Sequence, residues 1–377
     1  MKNLLTVSAA LLLTTTAVTA AGLDRSGQSV GIIFEEGNVV ELTFGVVTPK
    51  ISGTSSAALG SKDSGNMAAS YTQIGVGVKY QLEDNLSVAL IFDQPFGADV
   101  DYKNADPAYY TGAATASVSS TAMTAVARYS LNSNFSVHGG LRYQTVRAAV
   151  SKPTVRDYDI KSRASSAKGY LVGGAYERPD IALRVAVTYN SAVTHNITAT
   201  ETCSAPLPVC AGTTAVTSVD TPESINLEFQ SGVAANTLVF GSVRYAKWTQ
   251  FDYAPPVHAS DVPNGLGRGS LQSYDNDTYA FALGVGRKFS DTWSGAVTVG
   301  YEKAEGGFSA DLGPTDGNKS IGLGATYSID NMEITGGGRY IMLGDATTEN
   351  PTSPGDDGSK FADNSAIALG LKIAYKF

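Results

Sequence analysis

Phe135-Ser136-Val137-His138-Gly139-Gly140-Leu141-Arg142-Tyr143 alternates: one parity reads Phe135, Val137, Gly139, Leu141 and Tyr143, the other carries His138 and Arg142. A repeat of two residues is the period of a strand, not of a helix. The same rhythm, closing on a tyrosine, returns in Ile181-Leu183-Val185-Val187-Tyr189, Thr237-Val239-Gly241-Val243-Tyr245, Trp293-Gly295-Val297-Val299-Tyr301 and Met332-Ile334-Gly336-Gly338-Tyr340. At about 3.3 Å per residue and a tilt near 40°, each list spans roughly 20 Å vertically. A barrel that crosses an outer membrane needs an outward apolar band of about 25 Å edged by aromatic residues. Tyrosines kept at one height therefore point to a membrane boundary, a level that a soluble barrel has no reason to hold.

Other strands follow the pattern. Ile74-Val76-Val78-Tyr80-Leu82, Ile321-Leu323-Ala325-Tyr327-Ile329 and Ile367-Leu369-Leu371-Ile373-Tyr375-Phe377 face outward. The opposite parity collects Gln73, Lys79, Arg128, His138, Arg142, Arg184, Glu228, Arg244, Glu302, Glu333, Arg339, Lys372 and Lys376. A lipid-facing Arg or Lys costs about 2–4 kcal/mol at the membrane midplane, so charge belongs in the lumen. Short turns at Glu83-Asp84-Asn85, Asn132-Ser133-Asn134, Arg178-Pro179-Asp180, Ala234-Ala235-Asn236, Ser290-Asp291-Thr292 and Asp330-Asn331 alternate with long polar segments at 52–69, 98–118, 151–167, 195–222, 253–276, 304–318 and 345–363. Six turns and seven loops join 14 strands. Short turns on one side and long loops on the other are the asymmetry of an all-β, antiparallel transmembrane barrel.

The bulk numbers agree. Hydrophobic residues make up 43% of the 377, yet the mean hydropathy is only -0.04, so the apolar content is dispersed rather than gathered into spanning helices. A net charge of -8 leaves no basic stripe for nucleic acid. Residues 1–20 read as a secretory signal: Lys2 opens it, Leu4 to Leu13 form the apolar centre, and Val18-Thr19-Ala20 offers small residues for cleavage. A retained anchor is the alternative, disfavoured by the short apolar run. Residues 39–377 read as the barrel, with 21–38 as a small N-terminal appendage. Export plus alternating strands point to the outer membrane of a double-membraned bacterium. Cys203 and Cys210, so close in an exported chain, fit a loop disulfide better than a metal site, since no further ligand stands at metal spacing. The Gly-x-Gly pairs Gly75/Gly77, Gly284/Gly286 and Gly322/Gly324 precede no helix, so they fit interior barrel positions rather than a dinucleotide loop.

Several segments resemble the FadL/TodX family of outer-membrane transporters for long-chain fatty acids and aromatic hydrocarbons. They are Ala21-Gly22, Val47-Thr48-Pro49-Lys50-Ile51-Ser52-Gly53, and Pro222-Glu223-Ser224 followed by Tyr245-Ala246-Lys247-Trp248-Thr249-Gln250-Phe251. The ending Tyr375-Lys376-Phe377 resembles the aromatic signal read by the barrel-assembly machinery, which many outer-membrane proteins share. The resemblance implies a monomeric 14-stranded barrel plugged by a hatch, with an inward kink in the third strand that opens the wall sideways. The residues matching that kink are Phe92-Asp93-Gln94-Pro95-Phe96-Gly97. Proline cannot donate to a ladder and Gly97 permits a bend, so the chemistry allows a kink; a strand that simply ends near Phe92 is the alternative. The family's Asn-Pro-Ala hatch motif is absent. Ile32, Ile33 and Phe34 would be the hatch's apolar contacts, with Glu35 and Glu36 pairing with lumen arginines.

An alkyl chain gains about 0.8 kcal/mol per buried methylene, so an apolar tunnel captures it from dilute solution. Pro107-Ala108-Tyr109-Tyr110, Ala205-Pro206-Leu207-Pro208-Val209 and Phe251-Asp252-Tyr253-Ala254-Pro255-Pro256-Val257 either form an outside landing groove or pack loop against loop. Arg142, Arg184, Arg244 and Arg339 have the parity to meet a fatty-acid carboxylate, or simply to hold the barrel together. His138, His195 and His258 accompany no Gly-x-Ser-x-Gly elbow, so no hydrolase is expected, and no cofactor or metal is implied. Three functions stand: transport of hydrophobic compounds, a diffusion porin for hydrophilic solutes, and a structural or adhesive barrel.

Overall fold

The computed structural model describes residues 23–204, 210, 212–261 and 265–377. The secretory signal at 1–20, the Ala21-Gly22 start and the Ala205–Val209 loop segment lie outside the described residues. Fourteen antiparallel wall strands close on themselves among those described. They are β1 (Val39–Lys50), β2 (Tyr71–Glu83), β3 (Leu86–Asp93), β4 (Thr115–Ser130), β5 (Phe135–Lys152), β6 (Ser165–Arg178) and β7 (Leu183–Asn190). Then come β8 (Ser224–Ala234), β9 (Thr237–Ala246), β10 (Thr278–Lys288), β11 (Trp293–Glu302), β12 (Asn318–Ile329), β13 (Met332–Leu343) and β14 (Ser365–Lys376). Closure is made by β1, which pairs with β14 from Val39↔Lys376 to Lys50↔Ser365 and with β2 from Val39↔Lys79 to Val47↔Tyr71.

Alternation places the side chains as their chemistry requires. Leu42, Ile74, Leu141, Val297 and Leu369 are exposed on the outer face, while Lys79, His138, Arg142, Glu302 and Lys372 are buried inside. Neighbouring strands bring aromatic rings together in two belts. On the turn side Phe135 meets Tyr176 and Trp293 meets Tyr327, each with centroids 5.0 Å apart. On the loop side Tyr245 lies 5.1 Å from Tyr279 and Tyr170 lies 6.1 Å from Tyr189. Such belts fit the two membrane–water interfaces. One expected strand start is corrected: Ile181 does not begin a strand. It sits in the 3-10 turn Pro179–Ile181, followed by Ala182 at φ 51°, and β7 begins at Leu183. Pro179 favours the first position of such a turn and cannot donate to a ladder.

The long loops fold over the barrel mouth. Met67, Tyr102, Tyr109, Tyr158, Tyr253, Val257 and Phe361, drawn from five different connections, form one buried apolar cluster. Tyr109, Tyr253 and Val257 are thus spent on loop–loop packing rather than presented as an open groove. Glu201 anchors this cap by accepting from the Tyr158 hydroxyl at 2.8 Å and from the backbone N–H of His258 at 2.9 Å. Cys203 and Cys210 are joined across a loop tip.

Candidate functional site: a window in the wall and the segment behind it

Strand β3 is interrupted after Asp93 and resumes as Gly97–Asp101. On β4, Ala122 faces Asp93 and Ser119 faces Gly97, so Gln94, Pro95 and Phe96 stand opposite only Ser120 and Thr121. One extra residue in a ladder is a bulge, and a bulge bends the strand that carries it. Pro95 suits the place because it has no N–H to leave unpaired. The ring of Phe96 turns inward, is buried, and packs edge-on to Trp248 at 5.7 Å.

On its other side the interrupted strand leaves β2. The last pair between them is Val76↔Phe92, and contact resumes only where Ala69 donates to the Asp99 carbonyl at 3.0 Å. Between these two points the wall has a window, bounded by residues 70–75 and 93–98. A single rung crosses it: the Gln94 side-chain oxygen accepts the N–H of Ile74 at 2.9 Å. At Phe92–Gly97 the strand is thus interrupted and then resumes, and its ladder to β2 stops at Phe92.

The N-terminal segment fills the lumen behind this window. Arg25 donates its backbone N–H to the Pro95 carbonyl at 2.8 Å, and Gly97 donates to the Leu23 carbonyl at 2.8 Å. The bulged strand thus finds an inner backbone partner. Side chains reinforce it. The Ser26 hydroxyl donates to Asp93 at 2.5 Å, and Arg25 pairs with Asp99 at 2.8 Å while lying 3.8 Å above the Tyr71 ring. Asp24 pairs with the buried Arg244 at 2.7 Å. Gly97 leaves the Arg25 guanidinium its place, since an added Cβ would come within 2.5 Å of it and force that side chain to shift.

Deeper in, the 3-10 turn Gly31–Phe34 presents Ile32, Ile33 and Phe34 to Ala89, Val126, Leu171, Ala175 and Ala186 of the wall. Gly77 leaves room for Ile32, whose Cδ1 would lie 2.6 Å from an added Cβ. Phe34 sits beneath two guanidinium groups, Arg184 at 4.7 Å and Arg128 at 5.0 Å, with His138 edge-on at 5.6 Å. The expected pairing of Glu35 and Glu36 with arginines is corrected. Glu35 is 4.0 Å from Lys376, which also binds Glu333 at 3.3 Å, and Glu36 is exposed. The turn delivers Glu35 to the end of β14, where the nearest cations are lysines.

The four lumen arginines divide by role. Arg244 is committed to the inner segment through Asp24, the Gly27 carbonyl and Gln28. Arg184 covers Phe34, and Arg142 donates to Thr124 at 3.0 Å. Arg339 borders a cavity of about 90 Å³ behind Ser26 and Gly27, together with Arg244 and Glu302.

Three further spaces line up toward the window. A vestibule of about 740 Å³ under the loops is bordered by Tyr110, Lys152, Arg268, Tyr274, Asp311 and Leu312. Below it lies an apolar space of about 80 Å³ among Val47, Pro49, Ile51, Met67, Tyr71, Ala98 and Leu343, with Asp24 and Arg25 as its floor. Leu312, Gly313 and Thr315 border both. On the far side of Ser26, a space of about 100 Å³ touches Gly75, Val76, Ile91, Phe92 and Asp93 at the lower edge of the window.

The family described as "Outer membrane protein transport protein (OMPP1/FadL/TodX)" matches residues 31–377. The chain belongs to that family. It is an outer-membrane transport channel for hydrophobic compounds, and not an enzyme. Solved structures agree on the fold. A Pseudomonas aeruginosa FadL homologue superposes with a TM-score of 0.75 at 14% identity, covering 92% of each chain. The P. putida toluene transporter TodX gives 0.63 at 12%, covering 91% of each, and the Ralstonia pickettii toluene transporter TbuX gives 0.61 at 12%, covering 91% of this chain and 90% of its own. Among curated proteins none matches in sequence. Sequence reasoning singled out Phe92–Gly97 and Ile32–Phe34 but not Asp24, Arg25 and Ser26. Opposite charges at Arg25 and at Asp93 and Asp99, on either side of Pro95, were the available signal.

Proposed function

We propose that this barrel, working as a monomer, takes up long-chain fatty acids or similar apolar molecules from outside and releases them sideways into the outer membrane. Relatives described as toluene transporters extend the cargo class to small aromatics. The vestibule receives the molecule, the apolar space below draws in its hydrocarbon part, and the window between β2 and β3 is the exit. Arg339, which borders the cavity behind the inner segment, is the candidate to meet a cargo carboxylate.

The observation that carries this reading is the position of Asp24-Arg25-Ser26. These residues separate the apolar space above from the window space below. Both spaces, at about 80 and 100 Å³, are smaller than the ~150 Å³ cavity that holds a benzene ring. The arrangement is a closed state, and the inner segment is the hatch that has to shift. Its ties to the kink are mainly polar, with Leu23 packed against Phe96, whereas Ile33 and Phe34 anchor its far end in the wall. The hinge therefore falls between Ser26 and Val30, where Gly27 and Gln28 have positive φ.

Uptake of labelled oleate and of toluene by cells lacking the protein, rescued by the wild-type chain or by Pro95→Ala with Gly97→Val, tests the proposal. Rescue by wild-type and not by the variant supports it. Uptake unaffected by deletion contradicts it. A porin would show a large steady ion conductance in a planar bilayer; the apolar plug of Val30, Ile32, Ile33 and Phe34 predicts little.

A further inference from the structure

Away from the transport path, one stretch of the outer rim differs from the rest. Arg147, Lys161, Arg163 and Lys168 are all exposed, on β5, on the segment leading into β6, and on β6 itself. Register places three of them on the lipid-facing side. Lys168 stands opposite Tyr143, Arg147 shares the parity of Tyr143 four residues further up, and Lys161 stands opposite Ala149 on that same parity. Arg163 follows Ser162, whose hydroxyl accepts the N–H of Ala148 beside Arg147. Tyr143 and Tyr170 belong to the loop-side aromatic belt, so the strip begins at the belt and climbs away from the hydrocarbon. With about 3.3 Å per residue and a tilt near 40°, Arg147 lies about 10 Å and Lys161 about 15 Å above Tyr143. That range covers the headgroup layer and the region just beyond it.

The second observation is charge. None of these four side chains takes part in an ion pair among the described residues. Elsewhere on the rim the cations stand singly: Lys247 pairs with Glu223 at 3.1 Å and Lys303 with Glu305 at 2.8 Å, while Lys50 and Lys319 are exposed and isolated. Asp159 stands on the same face two residues beyond Lys161, toward the loop tip, opposite Ser151, with Asp157 further along the loop. Four unneutralised cations on one strip of a chain with net charge -8 repel one another unless an anion lies among them.

We propose that this strip binds the phosphates of an outer-leaflet glycolipid that carries more than one phosphate. Its acyl chains would lie along Leu141, which is 72% exposed, and Val172 on the next strand. Guanidinium forks match phosphate oxygens in pairs, and the lysine stems reach up from the belt with their ammonium groups in the polar layer. Clustered basic residues at a membrane surface recognise anionic lipid by this chemistry. The site goes beyond transport and does not depend on the window.

The test uses the full-length protein in non-ionic detergent, titrated with diphosphorylated lipid A and followed by native mass spectrometry. Monophosphorylated lipid A and inorganic pyrophosphate are run alongside. The wild-type chain should hold the diphosphorylated lipid, with affinity falling steeply as salt rises. The variant Arg147→Gln/Lys161→Gln/Arg163→Gln/Lys168→Gln should bind at least tenfold more weakly, and Lys247→Gln/Lys303→Gln should match wild-type. Should the quadruple variant fail to fold, Lys161→Gln/Arg163→Gln should still show a loss of threefold or more. Equal binding by wild-type and variants, or no saturable binding to wild-type, overturns the proposal. Pyrophosphate binding as tightly as the lipid overturns the lipid assignment in favour of a free anion.

Discussion

The backbone N–H of Arg25 donates to the carbonyl of Pro95 at 2.8 Å, so an inner segment supplies the partner that the bulged wall strand lacks. The contact joins the two parts on which transport turns, the plug and the window. The Pro95 carbonyl accepts the N–H that the lumen segment offers, and the ion pair from Arg25 to Asp99 fixes their register.

Arg244→Met should loosen the plug. It removes the partner of Asp24, which is itself buried, along with four further acceptors. Leaving one half of a buried pair uncompensated costs about 3–5 kcal/mol. Greater protease sensitivity of the N-terminal segment and frequent small conductance events should follow, while the barrel still migrates as folded.

Gly97→Ala inserts a Cβ where the Arg25 guanidinium lies. The expected result is a displaced Arg25, a lost pair with Asp99, and higher basal leakage of a hydrophobic dye into cells. Arg25→Ala made together with Gly97→Ala should add little further leakage, because both act through one contact. Full additivity would mean that the two residues act separately.

Gln94→Ala removes the rung across the window and leaves the Ile74 N–H without its acceptor. The bond lies on the exposed outer wall, where lipid rather than water would face the freed N–H and leave it unsatisfied. Thermal stability should fall modestly and uptake of bulkier apolar probes should rise relative to small ones. Gln94→Glu, which keeps an acceptor oxygen, should sit nearer to wild-type.

The cap carries a pH dependence. Burial pushes the His258 imidazole down to about 4; the Gly269 carbonyl that its Nδ1–H faces opposes this, and Lys152 and Arg268 add to it. The unfolded chain binds the proton near 6.5 and the folded cap does not, so this contribution is complete above pH 6.5 and is lost as pH falls toward 4. Asp311, pushed upward by burial, contributes with the opposite sign. Comparing His258→Gln with wild-type isolates the histidine: the melting temperature of the variant should fall less between pH 7 and pH 4.5.

Much of the barrel was legible in the chain because strand parity is local. Phe135 through Tyr143 declares its outer face without reference to any other strand, and turns such as Asp330-Asn331 mark where the direction reverses. Pro95 and Gly97 announced a break for the same reason, since each limits its own backbone. What closes the break could not be read that way. Arg25 and Asp99 are 74 residues apart, Ser26 and Asp93 are 67 apart, and Asp24 and Arg244 are 220 apart. No periodic signal spans such distances. Glu35 was sent to the wrong cation because parity tells that lysines and arginines share the lumen but not their depth. The apolar loops were ambiguous until Tyr109 and Tyr253 were seen buried together under the cap.

The most direct test is a reversible lock between the plug and the kink. With Ser26→Cys and Asp93→Cys, whose parent side chains touch at 2.5 Å, oxidation should tether the hatch to the wall. Uptake of labelled oleate is measured in cells carrying the locked chain, before and after reduction, against wild-type treated identically. The account predicts that oxidised cells take up little oleate and that reduction restores it. Uptake at the wild-type rate with the lock closed would contradict it.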